Sequence, residues 1–267
     1  MRAAQFRVGM NIITLLTINT WKCDGDYYPR MEWLAAELKA SGARIILCQE
    51  CFQTADGKVD TLSYLSRELN MPGYFVPCRR KSRMFGGIAT DSFSGLGILT
   101  DLPVTSQMVI DLPSSPADGG RSAQLLTLDG GAGLSIIIAN VHLTHLQNGE
   151  TLRLRQLEKV LSCMAGSKAP YRIIGGDFNA RPGSALIEVL KNKIKAVECI
   201  QHFVDYIFAL PSPIADNYPS FIHAKTVLDR PDPTGLYPSD HFGIQTTMIL
   251  PPVVHLVLDN TPDQTIY

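Results

Sequence analysis

The chain has almost no net charge: 24 Lys and Arg are offset by 25 Asp and Glu, a formal charge of -1 over 267 residues. No overall field therefore draws it to duplex DNA or to an acidic membrane face, and any such partner must be met by a local patch. No apolar stretch approaches the roughly 18 residues that a membrane span requires, so no stable membrane anchor is expected. A convincing secretory signal is also missing, because the apolar run Ile12 to Ile18 contains two threonines, ends at Asn19 and lacks a small-residue cleavage site. Internal repeats, low-complexity tracts and boundary-marking linkers are absent, which leaves one domain over residues 1–267 as the expectation. Gly86-Gly87 and Ser94-Gly95-Leu96-Gly97 lack the lysine and hydroxyl residue of a nucleotide-binding loop. Cys48-x-x-Cys51 lacks the second pair that would complete a zinc site.

What is present is enough apolar material for a large core, 45% hydrophobic against 18% charged residues. Six cysteines are scattered, mostly inside apolar stretches, as reduced thiols in a cytoplasmic protein would be. Asn11 to Thr20 reads as a strand, Met31 to Ala40 as a helix that Gly42 stops, and Arg44 to Gln49 as a second strand, a unit that places two parallel strands side by side. The middle reads as antiparallel strands at Tyr74–Cys78, Gly95–Leu99, Met108–Leu112, Ala123–Leu128 and Leu134–Asn140, with a hairpin at Gly130-Gly131-Ala132-Gly133. A helix is expected over Glu150–Met164, a strand over Tyr171–Gly175, a short helix over Ser184–Leu190, and strands over Phe203–Phe208 and Phe242–Leu250. The proline-rich stretch Pro211–Pro238 reads as a loop-bearing insertion. The result is a mixed chain whose helices cover two facing sheets.

Four acids, Glu50, Asp177, Asp205 and Asp240, each stand at the edge of an apolar strand. Carboxylates in such settings are desolvated and mutually repelling unless a cation lies among them, which points to a hard divalent ion with oxygen ligands. Taken singly, each is equally well an ordinary loop acid or helix cap. His142 ends one strand and His241 follows Asp240; a histidine paired with a carboxylate is fixed in one tautomer and favours the imidazolium, which suits donation to a phosphate oxygen. His145, His202, His223 and His255 read as structural. Asn179 lies two residues past Asp177, a spacing that in an extended or tightly turned segment sends both side chains the same way.

Six segments in order, Leu16 to Trp21, Gln49-Glu50, Asn140 to Leu143, Gly176-Asp177-Phe178-Asn179, Val204 to Phe208 and Ser239-Asp240-His241-Phe242-Gly243, resemble the motifs of the endonuclease/exonuclease/phosphatase (DNase I-like) superfamily. The resemblance implies an α+β, four-layer α/β/β/α sandwich with its site at one end of the packed sheets. It also implies that Glu50, Asn19 and Asp240 hold Mg2+ or Mn2+. Asp177 would activate the attacking water, Asn179 would contact the phosphate, His142 and His241 would donate to its oxygens, and Asp205 would orient His241.

The expected activity is hydrolysis of a phosphodiester or phosphomonoester by in-line attack of water, on a nucleic acid, a phospholipid head group or a small molecule. The rival reading is a catalytically silent phospho-ligand-binding module of the same fold. Two segments stay open. Arg153, in a pattern similar to that of the sphingomyelinase-like and tyrosyl-DNA phosphodiesterase-like branches, either touches substrate or caps a site loop. The run Arg79-Arg80-Lys81-Ser82-Arg83 either guides a phosphate or is a solvated loop face.

Overall fold

A computed structural model of the protein describes residues 11–131, 133–211 and 218–251. Two six-stranded mixed sheets pack face to face. The first has the order β11-β12-β1-β2-β4-β3 and contains β1 (Asn11–Asn19), β2 (Ile45–Thr54), β3 (Gly73–Phe85), β4 (Ile88–Thr100), β11 (Ser220–Val227) and β12 (Gly243–Leu250). The second has the order β5-β6-β7-β8-β10-β9 and is built from β5 (Val104–Leu112), β6 (Arg121–Gly131), β7 (Leu134–His142), β8 (Tyr171–Asp177), β9 (Val197–His202) and β10 (Asp205–Leu210).

Each sheet is organised around a single parallel pair with a helical crossover. In the first sheet α1 (Tyr27–Ser41) links β1 to β2, and in the second α3 (Glu150–Ala165) links β7 to β8. The crossover brings both strands of a pair back to finish at the same edge, so their last residues are neighbours by register: Asn19 lies opposite Gln49, and His142 opposite Asp177. Those paired strand ends set the position of the site.

Three apolar layers follow from the alternation of the strands. Ile13, Leu15, Leu47, Ile98, Ile138, Ile173, Ile207 and Met248 fill the space between the sheets. On the outside of the first sheet, Leu34 and Leu38 of α1 and Leu62 and Leu65 of α2 (Thr61–Leu69) pack on Ile18, Ile46 and Phe52. On the outside of the second, Leu157 and Val160 of α3 and Leu186 of α4 (Ala185–Glu188) pack on Val141, Ile174, Tyr206 and Phe208. The four expected layers are therefore present. At about 1.5 to 3 kcal/mol for each large side chain taken out of water, these layers are the main source of stability.

Several boundaries differ from the sequence expectation. The second strand does not stop at Gln49 but continues to Thr54 through a bulge between Cys48 and Cys51. Helix α2 was not anticipated, although Asp60 caps it by accepting from the Leu62 and Ser63 amides. Strands β9 and β11 were also missed; both are edge strands with mostly half-exposed or exposed residues, so neither shows a clean apolar alternation. Within the supposed loop Pro211–Pro238, β11 pairs with β12, while residues 212–217 lie outside the described region. The short helix ends sooner and continues as a π-helical turn, Val189–Lys193. The expected Gly130–Gly133 hairpin joins β6 to β7, with Ala132 itself outside the described residues.

All six cysteines are free. Burial and the neighbouring Cys48 push the Cys51 thiol well up, which keeps it an inert protonated packing group. No helix among the described residues is long and apolar enough to cross a membrane. His255 and the first ten residues lie outside the described region.

Candidate active site

At the shared edge of the two sheets lies a cleft of about 470 Å3, lined by Asn19, Glu50, His142, Asp177, Asn179, Asp240 and His241 among others. Seven of the eight residues singled out from sequence thus border one cavity. The eighth, Asp205, is buried beneath it, its Oδ2 2.8 Å from Nδ1 of His241.

The register produces this meeting directly. Asp205 opens β10 directly across from Asp177 at the end of β8, so two carboxylates face each other on antiparallel strands, both almost fully buried. Burial, and then the charge of Asp205, lift the Asp177 carboxyl to about 7. Burial likewise raises Asp205, against the pull of His241. His241 answers from a different segment: burial works against its cationic form, but the hydrogen bond and charge of Asp205, with Asp177 and Asp240 behind, raise it to about 9. Asp177, Asp205 and His241 offer ligand atoms within 4.8 Å of one another. One oxygen of Asp205 is buried with no hydrogen-bond partner among the described residues.

Three backbone devices aim the remaining side chains. Glu50 sits in the β2 bulge at φ 55°, a conformation that turns its side chain out of the strand's alternation and into the cleft. Asn179 is also left-handed, at φ 48°; its amide N–H donates to Asp177 Oδ1 at 2.8 Å, and its side-chain amide donates to the Leu143 carbonyl at 3.0 Å. Of the two local geometries expected for Asp177 and Asn179, extended or tightly turned, the chain takes the tight turn, because β8 ends at Asp177. Immediately before Asp177 the chain needs Gly176, at φ 135°, where a Cβ would lie 2.0 Å from the Val141 carbonyl oxygen.

Asn19 connects the sheets at the cleft floor. Its Nδ2 donates to Asp177 Oδ2 at 3.2 Å, and its Oδ1 accepts from the Trp21 amide at 3.0 Å. Just below, Gln49 of the first sheet donates to Asn140 of the second at 2.8 Å, and Asn140 donates back to the Cys48 and Gly97 carbonyls. All of these atoms are buried, so this polar bridge fixes the two sheets one residue away from Glu50 and two from His142. Both residues were quoted as motif members from sequence, with no role assigned. Ser239 ties in the last motif: its hydroxyl donates to the Asn19 carbonyl at 2.6 Å and accepts from the His241 amide at 3.2 Å.

His142 departs from the expectation of an imidazolium. Its Nε2 is 3.5 Å from Asp177 and 4.0 Å from Glu50, yet burial, followed by the charges of Arg121 and His241, hold it well below its ordinary value, and the neutral ring results. Arg121, not anticipated from sequence, donates to the His142 carbonyl at 3.3 Å and to His145 Nδ1 at 2.7 Å while paired with the fully buried Asp118. His145 is accordingly part of the cleft wall as well as structural. Lys22 was also missed: its ammonium is 2.7 Å from Glu50 Oε2 and 3.5 Å from Asp24. Its signal was position alone, one residue past the Trp21 motif. Arg153 turns out to cap a loop, donating to the Thr144 and Leu146 carbonyls, both at 3.0 Å, from a buried position outside the cleft lining. His202 stacks on Phe242, as a structural residue would.

No protein-family profile matches the chain, and no curated protein is significantly similar in sequence. Solved structures are similar in fold. The human Nocturnin catalytic domain with bound sulfate superposes with a TM-score of 0.70 at 20% identity, over 90% of this chain and 94% of that one. ANGEL2, a 2',3'-cyclic phosphatase, gives 0.70 at 14% identity over 91% and 96%. An endonuclease/exonuclease/phosphatase family protein from Leptotrichia buccalis gives 0.68 at 16% identity over 88% and 98%. The paired mixed sheets, the flanking helices and these superpositions give the chain the DNase I-like fold of the endonuclease/exonuclease/phosphatase proteins.

Proposed function

We propose that the chain is a single-domain, divalent-metal-dependent phosphoesterase that hydrolyses a phosphodiester or phosphomonoester by direct attack of water. The observation that carries this reading is the Asp177–Asp205–His241 arrangement: two buried carboxylates in register, with an imidazole on one of them, at a cleft open to substrate. Asp177, lifted to about 7, is poised to take a proton from water near neutral pH. Asp205 holds His241 by Nδ1, leaving Nε2 of the imidazolium to donate to a phosphate oxygen. Asn179 contacts the phosphate through the capacity its Leu143 bond leaves free, and neutral His142, which also lines the cleft, donates to it as well. A hydrogen-bond donor aimed at the charge that builds on the phosphoryl oxygens lowers the barrier more than it strengthens ground-state binding.

The donor set fits a hard cation. Glu50, Asp240 and the Asn19 carbonyl offer oxygen at the cleft, and the Glu50 carboxylate already attracts an ammonium. When bound, Mg2+ or Mn2+ would supply Lewis-acid stabilisation of phosphate charge. The close Asp177, Asp205 and His241 set is less suited to the ion, since the His241–Asp205 contact at 2.8 Å is a hydrogen bond that ligation of Nδ1 would break.

The Lys22–Glu50 pair favours the second reading, a silent phospho-ligand-binding module in which the lysine replaces the ion. Hydrolysis of bis(p-nitrophenyl) phosphate with added Mg2+ or Mn2+, alongside calorimetric titration of Mn2+, decides between them. Turnover that disappears with EDTA and in Asp177→Asn is expected. Folded protein that neither binds Mn2+ nor turns over any of a panel of nucleic acids, phospholipids and soluble phosphate esters would establish the silent module.

A further inference from the structure

One wall of the cleft is not explained by hydrolysis at a single phosphate. It is formed by β3, where the register with β4 shifts between Pro77 and Arg79, so that Cys78 is the extra residue. Beyond that bulge, Arg79, Lys81 and Arg83 alternate with Arg80 and Ser82, and only the first three line the cleft. Arg80 faces the other way, pairs with Asp91 and lies over the Phe93 ring. The run that the sequence leaves open between a phosphate guide and a solvated loop face is a strand with three cations on its cleft side.

Their surroundings differ from those of an ordinary solvated face. Among the described residues, Arg79, Lys81 and Arg83 form no ion pair with a carboxylate, whereas Lys22, Arg80 and Arg121 do. Arg83 is held by donation to Ser92 and Ser94 of β4, at 3.0 and 2.8 Å, so its guanidinium is fixed and not swept through solvent. Burial holds it below its ordinary value, and the charge of Arg79 adds to the effect. Arg79 packs on the Gly119 backbone, where a Cβ would be 3.0 Å from its Nε. Alternate residues of a strand are about 6.6 Å apart, so the row extends about 13 Å along the wall, longer than one phosphate.

We infer that this row is a second anion subsite, and that the substrate is a phosphoester bearing at least one further phosphate group that lies along β3. The inference rests on the phosphoesterase reading for the word substrate, but the binding it asserts is measurable without turnover. The same chemistry is offered by a compact polyphosphorylated small molecule and by a short single strand of nucleic acid.

The test is isothermal calorimetry on the metal-free full chain with inorganic tripolyphosphate and, separately, a five-residue oligothymidylate. Lys81 makes no side-chain hydrogen bond among the described residues, so Lys81→Gln leaves the ribbon intact. Arg80→Gln removes the same charge from the opposite face. The expected result is that Lys81→Gln weakens at least one probe about fivefold and Arg79→Gln/Lys81→Gln about thirtyfold, while Arg80→Gln changes it less than about twofold. An effect confined to tripolyphosphate identifies a compact substrate, and one on the oligonucleotide identifies a strand. If neither probe is weakened more by Lys81→Gln than by Arg80→Gln, the subsite does not exist. Hydrolysis of bis(p-nitrophenyl) phosphate and of the substrate panel by the wild type is a separate measurement, and its absence together with absent Mn2+ binding removes the enzyme reading without altering the binding result.

Discussion

The two walls of the cleft treat charge in opposite ways. At the ends of β8 and β10, every charged group is buried and answered by another: Asp177 by Asn19 and its own turn, Asp205 by His241. Along β3, the cleft-facing Arg79, Lys81 and Arg83 are half-buried or exposed and form no ion pair among the described residues. The first wall is pre-organised, because buried charges must be compensated within the fold or not exist. The second can leave its charges uncompensated because water screens them until a ligand arrives. Chemistry at fixed geometry belongs to the first kind of wall and recognition of a variable partner to the second.

The comparison is broken most severely at Asp177. Asp177→Asn is expected to lower kcat for bis(p-nitrophenyl) phosphate by about 10³ to 10⁴, the full contribution of general-base catalysis, with unchanged circular dichroism. Removing compensation below the wall tests its rigidity. Asn140→Ala takes one of three acceptors from the Gln49 side-chain amide and the side-chain donor from two buried carbonyls, and should cost about 3 kcal/mol in urea denaturation. Gly176→Ala should cost at least as much, since neither φ 135° nor the Val141 carbonyl accommodates a Cβ.

The pH response sharpens the contrast. Asp177 and His241 both hold protons more tightly in the folded state, at about 7 and about 9 against ordinary values of 3.8 and 6.5. The His241 contribution is therefore complete below 6.5 and lost as pH rises through 9, and the Asp177 contribution fades between 3.8 and 7. Buried neutral His142 works the other way below 6.5, so the clean window lies above 7, where metal-free protein should lose thermal stability as pH rises from 7 to 9 through the His241 titration. Asp205→Asn should bring the His241 titration, followed by NMR, down toward its ordinary value, while substitutions on β3 leave it in place. The smallest effect is expected at Lys22, which straddles the two walls. Lys22→Met frees Glu50 and should tighten Mn2+ binding by a few-fold, about 1 kcal/mol, in calorimetry.

Much of this was legible in the primary sequence. Glu50, Asp177, Asp240 and both histidines stood out because acids and histidines at the ends of apolar strands are expensive unless they serve a purpose. Helices α1 and α3 and the central strands were legible for the related reason that buried faces impose a period, as in β1, β7 and α3. The edge strands β9 and β11 bury too little to show one. Arg121 was invisible because nothing local separates an arginine paired with a buried aspartate from one on the surface.

Sequence by itself determined which residue types were available at the strand ends, and the apolar periods that fold them into two covered sheets. Tertiary structure alone decided that Asp205 lies opposite Asp177, that a bulge turns Glu50 inward, that His142 is neutral and that three cations of β3 share one face. Period and composition are local properties of a chain, whereas register, burial and charge compensation depend on neighbours distant in sequence, 36 residues for His241 and Asp205 and 158 for Asn19 and Asp177.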